Sequence, residues 1–415
     1  MLKTEEIFGK KIAEMNKENL EKLKERVGFD KVNWVLGAGI SKSAGVPLWG
    51  ECLLRMWART LFLERNFDSD PSIGKEFRST LEEIKKEMKH PEIFLEKINQ
   101  TIIGTSSNQI LTGVSTLEAA EYIQNFVAET ISWGNHGKEY LQDLAFAGLV
   151  KDSLKIDKTP DEIWEKMKDQ VLGVLAAYFM GQIKKNREVT VISYNFDDLL
   201  EFALERVGLE QEKCHIKNPG TKNVLEGKKG VHIYHPHGTV SVIPNSLSEE
   251  SQKLVLAESN YERLEQKAYL WENSIQAKVL HNKSCVFLGF SGEDYNFRRI
   301  IKNMERDGER QDIKHYLFLS IQSFVKKMFH DVVNKKLLGD TARTEKEREE
   351  FLSHIEKKEY DNTLREILHD ESMIYERMLI VKKLYAQYLY WERYNIIPIW
   401  TTREELPQMV QEILS

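Results

Sequence analysis

The sequence predicts an α/β fold: a Rossmann-like, doubly wound parallel sheet with large helical insertions. Three observations carry that expectation. Short apolar runs bounded by glycine or polar residues recur along the chain, segments with helical periodicity separate them, and the residues capable of chemistry stand where the runs end. Buried runs separated by helices make βαβ units, which put parallel strands in one sheet and ligands at the strands' carboxyl ends.

Residues 1–30 read as a charged, amphipathic N-terminal helix without the apolar middle of a signal peptide. VNWVLGAG, residues 32–39, is a buried strand running into a glycine turn. Residues 50–186 lack a comparable strand and read as a helical insertion. Ser115 with Glu118, and Thr159-Pro160 with Glu162, supply helix-start signals within it. Strands return at VTVISYN (189–195), VHIYHPHG (231–238), SCVFLGFSG (284–292), HYLFLS (315–320) and NIIPIW (395–400), with a helix over 197–207. Residues 321–392 form a charged helical insertion, and a last helix starts at Thr401–Glu405. With no Pro/Gly-rich linker, residues 1–415 are expected to form one elaborated domain.

Composition narrows the function classes. A formal net charge of -6 over 415 residues argues against general nucleic-acid affinity. No apolar window reaches the length of a membrane span. Cys52, Cys214 and Cys285 lie far apart and form no CxxC pair, which disfavours a disulfide framework and a four-cysteine zinc site. The expected compartment is the cytoplasm.

Four strand ends carry candidate chemistry. At the first, Gly37, Ala38, Gly39 and Ser41 lead towards Pro47. Glycines here let the backbone approach a pyrophosphate, which the following helix start would attract; the same residues also suit a tight strand–helix turn that binds nothing. Lys42 occupies the third glycine position of GxGxxG, which disfavours an ordinary dehydrogenase. At the second end, Asn195 can hold a ribose hydroxyl or a water and Asp197 a polar or cationic group, or both cap the next helix, a task Asp198 could take over. At the third, His237 precedes a glycine. It shares strand spacing with His235, but no third metal ligand lies close in sequence, so no metal is expected and His232 and His235 read as structural. At the fourth, Gly289, Ser291 and Asp294 suit ligand contact, helix capping, or both.

Taken together, these motifs resemble the sirtuin family. GAGISKSAGVPLW is similar to its GAGxSxxxGIPxFR signature, with Trp49-Gly50 in place of FR. SYNFDDLLE resembles its TQNID motif, and more closely the TxNYDDLLE form of sirtuin-like bacterial defence proteins. YHPHG resembles the catalytic HG, with His237 at the matching position, and GFSGED the late GxS element. LVLAESNYERL (254–264) also resembles a segment of the defence branch, and no chemistry attaches to it. The four motifs span Gly37 to Asp294. The two CxxC pairs of protein-deacylating sirtuins are absent, since TVSVIPNSLSEESQ follows the HG.

The resemblance implies NAD as substrate, no zinc, and hydrolysis of the nicotinamide–ribose bond as part of anti-phage defence. Asn195, Asp197 and His237 would be catalytic. Gly37, Ala38, Gly39, Ser41, Pro47, Gly289, Ser291 and Asp294 would bind the dinucleotide. It further implies a homo-oligomer and a possible HerA-like ATPase partner. The alternatives are a zinc-free protein deacylase or ADP-ribosyltransferase, and a non-catalytic NAD or ADP-ribose sensor.

Overall fold

The apolar runs assemble into one seven-stranded sheet in which every pairing is parallel. The computed structural model describes residues 10–29, 32–63, 115–132, 139–219, 229–243, 247–248, 250–251, 253–267, 270–292, 294–306, 313–321 and 374–415. Most of the charged segment expected over 321–392, and residues 64–114 of the expected 50–186 insertion, lie outside them.

The strands are β1 (Val32–Leu36), β2 (Val189–Ser193), β3 (Cys214–Lys217), β4 (Val231–Tyr234), β5 (Ser284–Leu288), β6 (His315–Ser320) and β7 (Ile396–Thr401). Their order is β3-β4-β2-β1-β5-β6-β7. The chain builds outward from β1 on one side and then crosses to begin again with β5 on the other. That reversal puts the topological switch point between β1 and β5, where a doubly wound sheet opens a crevice at its carboxyl ends. The fold is therefore Rossmann-like. Strand β3 was not expected from sequence: CHIK is short and polar, and only Ile216 in it is buried.

Alternation along β1 shows why helices cover both faces. Trp34 and Leu36 point into one core, Val35 into the other. The first face is covered by α1 (Lys10–Gly28), α2 (Trp49–Leu63), α3 (Thr116–Ser132), α4 (Glu139–Leu154), α5 (Pro160–Met167), α6 (Val171–Lys184) and α7 (Leu199–Arg206). Trp34 fills the space beneath α6, its ring 5.7 Å from that of Phe179. After the small helix α8 (Glu258–Gln266), the second face is covered by α9 (Trp271–Asn282), α10 (Tyr295–Arg306) and α11 (Ile374–Glu392), while α12 (Leu406–Leu414) returns to the first. Burial on both faces explains why β1, β5 and β7 read as continuous apolar runs instead of alternating ones.

The helix starts follow from sequence chemistry. Ser115 and Glu118 exchange side-chain-to-backbone bonds at the head of α3, Thr159 and Glu162 do so at α5, and Thr402 and Glu405 do so just ahead of α12. Pro398 is tolerated because β7 is an edge strand. Asn16 of α1 covers part of that edge: its side-chain amide donates to the Trp400 carbonyl at 2.9 Å and accepts from the Trp400 amide at 3.2 Å.

Candidate functional site

The loops after β1 and β5 touch through bare backbone. The Gly37 amide donates to the Leu288 carbonyl at 3.0 Å, and the Gly39 amide to the Gly289 carbonyl at 2.9 Å. A Cβ on Gly37 would lie 2.5 Å from the Gly289 oxygen, and one on Gly289 would lie 2.5 Å from the Ile40 nitrogen. Gly289 also takes φ +63, a conformation that favours glycine. These glycines therefore bring two loops into register, a tighter use than the expected approach to a pyrophosphate. The amides of Gly37, Gly39 and Ile40 already donate within the protein. A 3-10 turn, Ala38–Ala44, follows the strand. Along it Ala38 is half-buried, Gly39 exposed and Ser41 buried, and Pro47 beyond is also buried.

Ser41 joins the ends of β1 and β2. The Asn195 side-chain amide donates to Ser41 Oγ at 2.9 Å, and Ser41 Oγ donates to Asp197 Oδ1 at 3.0 Å. Asp197 Oδ1 also accepts the Leu199 amide at 3.2 Å, at the head of α7. Asp198 occupies the cap position of that helix but makes no capping bond; it accepts the Val242 amide at 2.9 Å instead. The expected division of labour is thus reversed, with Asp197 bonding the helix start and Asp198 tying down the chain after β4. Burial pushes the Asp197 carboxyl up to about 7, against the bonds from Ser41 and Leu199, which pull it down. Burial likewise raises Asp198. Asn195 Oδ1 is buried and has no hydrogen-bond partner.

His237 sits on a tight turn after β4, closed by the Gly238 amide donating to the His235 carbonyl at 3.0 Å. Gly238 has φ +85, and a Cβ there would lie 2.7 Å from the Lys253 carbonyl. The turn is fastened at its first residue. His235 Nε2 lies 2.7 Å from Glu201 Oε1 of α7, with both side chains fully buried. The helix that follows Asp197 therefore also holds the turn that presents His237.

Aromatic rings enclose His237: Tyr194 at 5.1 Å, Tyr261 at 5.5 Å and Phe196 at 6.3 Å between centroids. Asp294 Oδ2 stands 3.3 Å from His237 Nε2, without the alignment of a hydrogen bond. The same oxygen accepts the Tyr261 hydroxyl at 3.0 Å, and Asp294 Oδ1 caps α10 by accepting the Phe297 amide at 2.7 Å. Burial lowers the proton affinity of His237, partly countered by the Asp294 charge. Asp294 serves as the cap; Ser291 is exposed.

The expected catalytic residues thus form two adjacent groups. Ser41, Asn195 and Asp197 make one, His237 with Asp294 the other, and Tyr194 and Phe196 flank Asn195 between them. Ser41, Asn195, Asp197 and His237 are none of them more than 4 % exposed. A depression of about 430 Å³ lies elsewhere, against Gln211–His215 and Lys229 at the start of edge strand β3. Among the described residues no group of His, Cys, Asp and Glu is arranged to hold a metal, and no helix is long and apolar enough to cross a membrane.

Residues 189–339 match the family model of the SIR2-like domain. The matched stretch runs from β2 through β6 and contains Asn195, Asp197, His237, Gly289, Ser291 and Asp294. The SIR2-like domain points to NAD-dependent chemistry. Its β1 counterpart, with Gly37–Pro47, lies outside the matched range and is joined to it by strand pairing and by Ser41. No curated protein matches the chain.

Sequence reasoning missed three members of the site. Tyr261 stood inside LVLAESNYERL, a segment with no chemistry attached, and follows two residues, Ser251 and Val255, that pair back with Thr239 and His237. The Val255 amide donates to the His237 carbonyl at 2.8 Å, and the Ser251 amide to the Thr239 carbonyl at 2.8 Å. Tyr194 read as a strand residue. Glu201 closed the SYNFDDLLE motif unremarked, and lies in the first turn of α7, where it meets His235.

Proposed function

We propose that the chain hydrolyses NAD at the nicotinamide–ribose bond. Water adds to the ribose C1′ as the glycosidic bond breaks with its electron pair going to the nicotinamide nitrogen; the products are neutral nicotinamide, ADP-ribose and one proton. The transition state is oxocarbenium-like, as in glycoside hydrolysis, and nicotinamide leaves from a cationic ring without a strong acid. The observation that carries this reading is the meeting of the Ser41–Asn195–Asp197 row with His237 at the carboxyl ends of adjacent strands, with a SIR2-like domain supplying three of the four.

In this reading Asn195 Oδ1, a buried acceptor without a partner, takes the hydrogen of a ribose hydroxyl or of the attacking water. Asp197, exchanging its proton near neutrality, pairs with the nicotinamide carboxamide as donor or acceptor. His237, kept neutral by burial, is the general base and contributes ~10²–10⁴-fold. Ser41, Asn195, Asp197 and His237 are buried, so in this reading NAD reaches them only after the chain around them rearranges. Gly37, Ala38, Gly39 and Pro47 would then flank the pyrophosphate, with Gly289 and Ser291 on the adenosine side. The sirtuin-like resemblance extends the proposal to NAD depletion in anti-phage defence, with self-assembly or a HerA-like ATPase as the trigger.

The test is to incubate the protein with NAD and quantify free nicotinamide and ADP-ribose. The wild-type protein releases both in equal amounts. His237→Ala and Asn195→Ala each bind NAD and release neither. Full activity in both variants refutes the assignment, and ADP-ribose recovered on protein instead of in solution converts the reading to ADP-ribosyl transfer.

A further inference from the structure

Asp294 is engaged with groups inside the protein on both of its oxygens. Its Oδ2 is 3.3 Å from His237 Nε2 and accepts the Tyr261 hydroxyl at 3.0 Å, while its Oδ1 is committed to the Phe297 amide at 2.7 Å. Both oxygens are thus engaged inside the protein, which leaves a ribose hydroxyl little to bond. Tyr261 also packs edge-on against the His237 ring at 5.5 Å, so one residue touches both partners. The titratable groups facing His237 are Tyr194 at the end of β2, Tyr261 on α8 and Asp294 ahead of α10. Of these, only Asp294 carries a carboxyl group, and its Oδ2 stands beside the ring nitrogen Nε2.

We propose that Asp294, itself held by the Tyr261 hydroxyl, is a positioning residue that keeps the imidazole proton of His237 on Nε2 and leaves Nδ1 as the basic atom. The proposal rests on the hydrolase reading for its catalytic meaning. A carboxylate beside one ring nitrogen favours the proton there, and the opposite nitrogen then carries the lone pair. In this structure Nε2 and Oδ2 are near but not aligned; entry of the dinucleotide brings them into line, as catalytic hydrogen bonds do on substrate binding. The proton that His237 takes on Nδ1 makes an imidazolium whose charge faces Asp294. Tyr261, by holding Oδ2, stops the carboxylate from turning away.

The experiment is ¹⁵N NMR of the histidine-labelled full chain, with the His237 signals assigned by their loss in His237→Gln, alongside nicotinamide release as a function of pH. The variants are Asp294→Asn, which keeps the helix cap, and Tyr261→Phe, which keeps the ring on His237. In the wild type, neutral His237 shows a protonated Nε2 and a bare Nδ1. In Asp294→Asn the Nε2 preference is lost and the ring titrates about one to three units lower. Nicotinamide release falls about tenfold or more, and its acid limb moves in the same direction. Tyr261→Phe gives a smaller loss and a mixture of tautomers. A His237 tautomer and titration unchanged by Asp294→Asn overturns the inference. So does a variant in which only KM for NAD rises, which would assign Asp294 to the ribose. If the wild type releases no nicotinamide, the hydrolase reading fails while the NMR titration still decides whether Asp294 controls His237.

Discussion

Ser41, Asn195 and Asp197 are held by hydrogen bonds to one another, whereas His237 is held by three aromatic rings, a turn and one carboxylate. The first group is a row of short polar side chains spanning the ends of β1 and β2; any one of them moves only by breaking a bond to the next. The second is a ring in an aromatic cage, where shape sets position and burial lowers the proton affinity against one opposing charge. The difference suits the roles proposed for them. Groups that recognise fixed polar atoms need directional bonds, while a base must exchange a proton without losing its place. Both depend on α7, which begins just after Asp197 and carries Glu201 to the His235 anchor of the His237 turn.

That shared helix offers the strongest way to break the arrangement. Glu201→Ala leaves His235 buried without its partner and is expected to cost ~3–5 kcal/mol, read as a lowered denaturation midpoint in urea. Because His235 anchors the turn, the variant should also lose nicotinamide release even under conditions where it is folded. Stability equal to wild type would show that the pair is not what ties the turn to α7.

A smaller effect separates the two groups by pH. The Asp197 carboxyl ordinarily titrates at 3.8 and is raised to about 7 in the fold by burial. The folded state therefore binds more protons between those values. The stability contributed by the neutral carboxyl is complete below the lower value and is lost as pH rises through the upper one. Asp197→Asn should flatten the decline of melting temperature measured between about pH 5 and 8.5, with the buried Asp198 retaining part of it. His237 has the opposite shift: its lowered affinity makes the fold favour the neutral ring, so its contribution is present above the ordinary histidine range and lost on acidification. An unchanged slope in Asp197→Asn would place the titrating group elsewhere.

Most of the sheet was legible because a strand buried on both faces has no polar alternation to hide it. Six of the seven strands were marked by such runs, while CHIK was not, being an edge strand with one buried residue. The strand-end motifs singled out Asn195, Asp197 and His237 as candidates and carried no sign of the contacts around them. Sequence spacing could not reveal that Ser41 would bridge Asn195 and Asp197 from over 150 positions away, or that Ser251 and Val255 would pair back with Thr239 and His237 and Tyr261 would bond Asp294. The glycines were expected to let the backbone approach a pyrophosphate; what lies against Gly37 in the structure is the backbone of Gly289. A second strand-end loop leaves no signature in the first, so the contact between them was invisible until the two were placed side by side.

The central claim is that four strand ends, β1, β2, β4 and β5, form one dinucleotide site. Amide hydrogen exchange of His237→Ala with and without saturating NAD tests it most directly, because binding persists there without turnover. The account predicts coordinated changes in exchange at residues 37–45, 193–199, 235–240 and 289–295. Changes confined to other surfaces, or none at these four segments while NAD is bound, would contradict it.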